Sequence, residues 1–323
     1  MTANDLHHPG YLALSGGVGG AKLALGLSHI LPPEQLTLVV NTADDFVHLG
    51  LNISPDLDTL MYTLAGIVNR ERGWGLETET WHAMEALKRL GGESWFRLGD
   101  GDLATHLQRG ELLRSGLSLT EATRELALSL GVKQKILPMS DHIVQTMVNT
   151  TEGEMAFQEY FVREECRPKV TGFRFAGIDK AEPQSDWMEM LSDINLKAVI
   201  ICPSNPFVSV EPMLQLRGLR AALVACKAPV IAVSPIVGGA AIKGPAAKMM
   251  AELNMPVTAS AVAEYYGDIL DGFVIDERDA DLVDHIPGGV RSLVVPTIMR
   301  TLEDRKDLAQ KVVAFADQLR DSR

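Results

Sequence analysis

Residues 11–27, YLALSGGVGGAKLALGL, run from a short apolar segment through four glycines (Gly16, Gly17, Gly19, Gly20) into an apolar pattern carrying Lys22. Glycines this dense stop a strand or a helix from running through, so the stretch reads as strand, bend, helix. Such a bend aims backbone N–H groups and the positive end of the helix dipole at one place, an arrangement that favours phosphate. Two familiar fingerprints are absent. The Gly-Lys-Ser/Thr ending of the nucleoside-triphosphate loop is missing, and Lys22 stands where a dinucleotide loop needs its third glycine after Gly17 and Gly19. Taken alone, these residues also suit a tight strand–helix turn with no ligand.

The alternation recurs along the chain. LTLVVNTADD (36–45), KAVIICPSNP (197–206), APVIAVSPIVGG (228–239) and DGFVIDE (271–277) are apolar, β-branched runs that end in turn residues, and several lead into helical patterns. Near-continuous apolar strands alternating with helices predict an α/β fold: a mostly parallel sheet with helices on both faces. Residues 56–135 differ, reading as successive helices without a core strand, and 155–177 reads as a small antiparallel strand pair. The expected organisation is a single α/β domain over 1–323, split by a mainly helical insertion at about 56–135.

Composition narrows the function. A net charge of −12 argues against general binding to nucleic acid or to a membrane surface. A small anionic ligand would then need local lysines, backbone amides or a divalent metal. No apolar run reaches the roughly 18–20 residues of a membrane span. The first ten residues lack a basic cluster ahead of an apolar stretch, so no signal peptide is expected. Cys166, Cys202 and Cys226 are too scattered for a zinc site or a disulfide framework. A cytoplasmic location fits.

Four acids follow the second strand: Asp44 and Asp45 in NTADDF, then Asp56 and Asp58 in SPDLDTL. Asp44 lies 24 positions after Gly20, near where an acid holds the ribose of a nicotinamide dinucleotide. Ser54, Pro55 and Asp56 suit the cap, first position and positive end of a helix. Asp58 lies deeper, where capping explains it least. Acids grouped in this way also suit a divalent metal or the activation of a hydroxyl, and magnesium favours oxygen ligands together with phosphate.

Two later turns face the same side of the sheet, where open α/β sheets bind ligands. One carries Ser204, Asn205 and Ser209; the other carries Gly238, Gly239 and then Lys243. With Gly16, Gly17, Gly19, Gly20 and Lys22, they predict a nucleotide- or phosphate-binding rim. Trp74 and Trp95 suit either ring stacking or a core, and Arg97 either a phosphate or Asp100 or Asp102. His48, His82, His106 and His142 read as structural. No nucleophile elbow or Cys–His pair stands out.

SGGVGGAK, NTADD, SPDLDTLMYTL, RGWG, LGDGDLATH, LPMSD, PSNPFVS and VSPIVGG stand in this order along residues 15–239, within a resemblance that covers about residues 11–315. In that order they resemble the 2-phospho-L-lactate transferases of coenzyme F-420 biosynthesis. The resemblance implies a Rossmann-like fold, magnesium as cofactor and a homodimer. It also implies the reaction. The terminal ribityl hydroxyl of the deazaflavin Fo (7,8-didemethyl-8-hydroxy-5-deazariboflavin) attacks a guanylylated phospho-three-carbon acid, and GMP leaves. Family positions matching Asp58 and Arg97 contact Fo, although many relatives carry lysine at the second. On this reading Asp58 and Asp45 act on the hydroxyl, while Asp44, Asp45 and Asp56 hold the metal. GGVGGAK looks like the bacterial branch rather than the archaeal GGTGTPK, which favours the phosphoenolpyruvyl donor over phospholactyl or phosphoglyceryl. SDH at 140–142 replaces a common SDD, so His142 takes no acid role. Two other classes share parts of the pattern: a nucleotide-sugar-binding regulator of the gluconeogenesis-factor family, and an NAD-dependent dehydrogenase.

Overall fold

The computed structural model describes residues 10–322. The apolar runs become strands. In chain order these are β1 (Tyr11–Ser15), β2 (Leu36–Val40), β3 (Phe46–His48), β4 (Leu51–Ile53), β5 (Lys135–Pro138), β6 (Gln145–Thr150), β7 (Gly153–Ala156), β8 (Val170–Ala176), β9 (Ala198–Ile201), β10 (Val230–Val233), β11 (Ile236–Val237), β12 (Ala240–Ala241), β13 (Gly272–Ile275) and β14 (Arg291–Val294). Seven form one sheet in the order β14-β13-β10-β9-β1-β2-β5, every neighbouring pair parallel. Every residue of β1, β2, β9, β10 and β13 is buried, which is why these segments read as unbroken apolar runs. Alternate side chains serve two cores. Leu12 and Leu14 of β1 point into one and Tyr11 and Ala13 into the other.

The chain steps outward from β1 through β2 to β5, and in the opposite direction from β9 through β10 and β13 to β14. The switch point of the sheet therefore lies between β1 and β9, and a crevice opens above their carboxyl ends. The first helix, α1 (Gly17–Ile30), packs on the C-terminal helix Leu302–Asp321. Gly26 permits the contact, since a Cβ there would collide with the carbonyl oxygen of Arg305.

Between β2 and β5 lie the β3–β4 hairpin and the helices α2 (Pro55–Leu64), α3 (His82–Arg89), α4 (Asp100–Arg114) and α5 (Leu119–Ser129). Leu57, Leu60 and Met61 of α2 belong to the core beneath α1 that also takes Tyr11 and Ala13, whereas Ile53, Met84 and Leu98 form a separate small cluster. The antiparallel unit differs from the expected pair at 155–177. It has three strands in the order β7-β6-β8, and it includes Gln145–Thr150. MAFQEYFVRE leaves the extended form after Ala156, and Glu159–Arg163 winds as a π-helical turn. The cause is spacing. Phe157 and Phe161, four apart, stack with ring centroids 5.5 Å from each other, a helical rather than an alternating period.

Candidate functional site

Gly16 is extended and Gly17 adopts φ +63, so only glycine turns the chain from β1 into α1 without strain. The other glycines permit close approach. A Cβ on Gly16 would lie 2.5 Å from the Ser209 Cβ, and one on Gly19 would collide with the Pro203 carbonyl oxygen. The loops after β1 and β9 are thus interlocked across the switch point. Ser204 Oγ accepts from the Gly16 N–H at 2.9 Å and donates to the Gly16 carbonyl at 2.9 Å. Asn205 Oδ1 accepts from the Phe207 N–H at 3.0 Å and caps the next turn. Ser204 and Asn205 line the crevice, but these polar groups are engaged by the scaffold itself.

The crevice holds a cavity of about 660 Å³, well within the range of roughly 300–1,000 Å³ typical of ligand sites. It brings together Gly16, Gly17, Gly19, Lys22, Asp44, Asp56, Asp58, Arg97, Ser204, Asn205 and Lys243 of the expected residues. Gly20, Asp45, Gly238 and Gly239 do not line it. Gly20 packs beneath the bend, where a Cβ would lie 2.5 Å from Ser15 Oγ and 2.7 Å from Ser204 Oγ. The Gly238 N–H donates to both carboxylate oxygens of Asp279, each at 3.0 Å, so that amide is taken.

The acids fall into two groups. In the first, Asn41 Nδ2 donates to Asp44 Oδ2 at 3.0 Å and to Asp56 Oδ2 at 3.1 Å, so one side-chain amide bridges two carboxylates. Burial, reinforced by the Asp56 charge, pushes the Asp44 carboxyl well above the usual range. Burial pushes Asp56 up to about 6, although Asn41 and the Gly17 N–H hydrogen-bond to it. Asp44 Oδ1 is buried without a hydrogen-bond partner among the described residues. Asp45 points elsewhere. Burial raises its pKa well above the usual carboxylate range, against a hydrogen bond from Ser54 and the charge of Arg109.

The second group surrounds Asp58, which is 4% exposed. The fully buried Arg109 of α4 meets its carboxylate with both ends of the guanidinium fork: Nη1 donates to Oδ2 at 3.1 Å and Nη2 donates to Oδ1. Burial acts to lower the Arg109 pKa, but the charge and hydrogen bond of Asp58 raise it overall. His106 lies alongside, with Nδ1 3.6 Å from Asp58 Oδ2 and Nε2 3.3 Å from Asp102 Oδ2. The Tyr62 hydroxyl donates to Asp102 Oδ1 at 2.7 Å. Asp58, Asp102 and His106 each offer an atom within 4.8 Å of the others, a spacing that could hold a metal ion. The Arg109 cation already sits on Asp58, however.

Two cations face the glycine bend. Burial pushes Lys22 below the usual lysine range, and the charges of Lys243 and Arg305 push the same way. Lys243 Nζ donates to the carbonyls of Arg72 at 2.7 Å and Glu71 at 3.3 Å, tying its loop to residues 69–75. Aromatic rings form another part of the wall: Trp74, Trp95, Phe96, Phe157 and Phe161. Trp74 is 46% exposed and Phe161 40%, each with one ring face already engaged, Trp74 by Arg72 at 5.1 Å and Phe161 by Phe157. Arg97 lies 4.2 Å over the Trp81 ring and pairs with neither Asp100 nor Asp102.

The sequence alone assigns Tyr62 and Arg109 no site role, Asp102 only an alternative pairing with Arg97 and His106 a structural one, yet Tyr62, Asp102 and His106 line the cavity and Arg109 holds Asp58. Their signal is periodic: Asp102, His106 and Arg109 stand four and three apart, a polar stripe on one face of α4. Thr297, Ile298 and Met299, beyond β14, also line the cavity.

A glycine bend at the switch point of a parallel sheet, two lysines and a row of acids in one crevice define an α/β enzyme that handles phosphate groups. The chain belongs to the 2-phospho-L-lactate transferase CofD family, whose model matches residues 12–286. It is 44% identical to a 2-phospho-L-lactate transferase of Methanosarcina acetivorans, over 95% of this chain and 99% of that protein. It is 38% identical to a phosphoenolpyruvate transferase of Kitasatospora aureofaciens, over 96% of this chain and 98% of that one. Among solved structures, a UPF0052-family protein of Bacillus halodurans matches with a TM-score of 0.63 at 14% identity, covering 95% of this chain and 98% of that one. At that identity the likeness concerns the fold. No helix among the described residues is long and apolar enough to cross a membrane.

Proposed function

We propose that this protein is a transferase of coenzyme F-420 biosynthesis that moves a phosphorylated three-carbon acid from its GMP diphosphate to the terminal ribityl hydroxyl of Fo. The observation that carries this reading is a single cavity combining lysines and a helix start, two groups of acids, and aromatic side chains. Such a cavity suits a diphosphate and a flat, hydroxylated acceptor side by side.

The hydroxyl oxygen attacks phosphorus, the bond from phosphorus to the GMP oxygen breaks, and GMP leaves with that electron pair. Diphosphate chemistry needs positioning and charge neutralisation more than a protein nucleophile. Lys22, Lys243 and the start of α1 bind the diphosphate. Trp74, Trp95 and Phe161 stack on the deazaflavin, and Arg97 binds its polar edge. Asp58 accepts the hydrogen of the attacking hydroxyl, and Arg109 holds that carboxylate in place. Asp45 lies off the cavity and takes no catalytic or metal role.

Asp44 and Asp56 fit magnesium. Both are oxygen donors, both carry raised pKa values, one amide bridges them, and Asp44 Oδ1 lacks a partner among the described residues. When bound there, the ion would offset negative charge on the diphosphate.

The test is simultaneous binding. With magnesium present, GDP and Fo should bind together, one of each per chain, by titration calorimetry and deazaflavin fluorescence. Mutually exclusive binding would contradict the shared cavity. The relatives' names point to two donors, phospholactyl and phosphoenolpyruvyl, and turnover assays should offer both along with the phosphoglyceryl form.

A further inference from the structure

Helix α4 carries a detail that the reaction above leaves unused. Arg109 has only donors, so the 3.3 Å approach of its Nη1 to His106 Nδ1 requires that nitrogen to accept. In neutral His106 the ring proton is then on Nε2. That nitrogen has no hydrogen-bond partner among the described residues, although His106 is 1% exposed. Asp102 Oδ2 lies 3.3 Å from it, out of line for a hydrogen bond, while Oδ1 is occupied by the Tyr62 hydroxyl. A donor without an acceptor and a carboxylate oxygen thus stand side by side, on two residues that line the cavity. Buried polar groups of this kind are ordinarily matched, so the pairing points to a ligand atom.

A hydroxyl suits both groups at once. Its oxygen accepts from His106 Nε2–H, and its hydrogen goes to Asp102 Oδ2. A phosphate or a carboxylate would meet the Asp102 charge and be repelled. The pair also stands within 4.8 Å of Asp58, the acid assigned to the attacking hydroxyl. Neighbouring carbons of a polyol present hydroxyls at comparable spacing.

We propose that His106 and Asp102 form a recognition pair for a non-attacking hydroxyl of the acceptor's polyol chain, a proposal that rests on the transferase reading above. The pair selects a fully hydroxylated side chain and sets its register, so that the terminal hydroxyl meets Asp58 and the phosphorus.

The experiment compares the binding of Fo with that of an analogue whose ribityl chain is replaced by hydroxyethyl. The analogue keeps a terminal hydroxyl and loses the others. The wild-type protein should bind Fo about 10- to 100-fold more tightly, the range expected for a hydrogen bond to a charged group. Asp102→Asn keeps an oxygen for Tyr62 but sets a second donor beside Nε2–H, and His106→Asn shortens the reach. In each variant the preference for Fo should largely vanish. A merely structural role would weaken both ligands alike and leave their ratio unchanged. Equal binding of the two ligands by the wild type, or an intact preference in folded variants, overturns the pair while leaving the transferase reading standing. Failure of the wild type to bind Fo overturns both.

Discussion

Asp58→Asn separates the two duties assigned to this residue. The substitution leaves Arg109, fully buried, without its carboxylate. Removing one partner of a buried ion pair typically costs about 3–5 kcal/mol, because the remaining charge has no counter-ion. For a chain of 323 residues, an unfolding entropy of about 0.7 kcal/mol/K turns that loss into a Tm drop of about 4–7 °C. Loss of the hydroxyl contact should also slow the chemical step by roughly 10²–10⁴. A single variant therefore mixes stability with catalysis. Asp58→Asn/Arg109→Met resolves them, since removing both charges of a buried pair is often neutral or stabilising. The double variant should recover most of the lost Tm and stay slow. The assay is thermal melting beside single-turnover GMP release at saturating Fo. Recovery of both Tm and near-normal turnover would refute the catalytic role and leave Asp58 as the counter-ion of Arg109. An unchanged Tm in Asp58→Asn would refute the ion-pair argument.

Two further outcomes are expected. Lys22→Met and Lys243→Met should each weaken GDP binding about 10- to 100-fold, the range for a charged hydrogen bond, with Fo affinity less affected in Lys22→Met; unchanged GDP affinity by calorimetry in both would return these lysines to a surface role. Magnesium should stabilise the protein in a pH-dependent way. With Asp56 raised to about 6, the folded protein holds a proton that the unfolded chain releases near its ordinary value, so without metal its contribution to stability falls as pH rises through about 6. The gain in Tm on adding magnesium should therefore be small at pH 5 and larger at pH 7.5, and a gain that is flat across this range would contradict binding at Asp44 and Asp56.

The sheet was legible because its central strands are buried on both faces, and burial of that kind writes continuous apolar runs into the chain. The glycine bend and Asp44 were legible because they follow central strands, where ligands bind in open α/β folds, and Asp56 and Asp58 because they fall in the first turn of α2. Ser204 shows the limit of this reading. A serine in a strand-end loop looks like a ligand donor, yet its hydroxyl stitches that loop to Gly16, 188 positions earlier in the chain. Gly238 is similar, its amide being taken by Asp279. Asp58 stands out in the sequence because capping explains it least, but its partner Arg109 lies 51 positions away on another helix. No local motif links the two. The stripe Asp102, His106, Arg109 carries the signal only when polar side chains are allowed on the inner face of a helix, against the usual rule for burial. The strand expected after Met155 failed for a local reason: aromatic residues four apart satisfied a helical turn better than a pleat.

The central claim is tested most directly by supplying purified protein with magnesium, Fo and each guanylylated three-carbon donor in turn, then measuring GMP and the Fo product by mass. The expected result is one GMP released per phosphodiester-linked Fo with at least one donor, and none when Fo is omitted. No GMP from any of the three donors, or GMP released without a linked Fo, would contradict it.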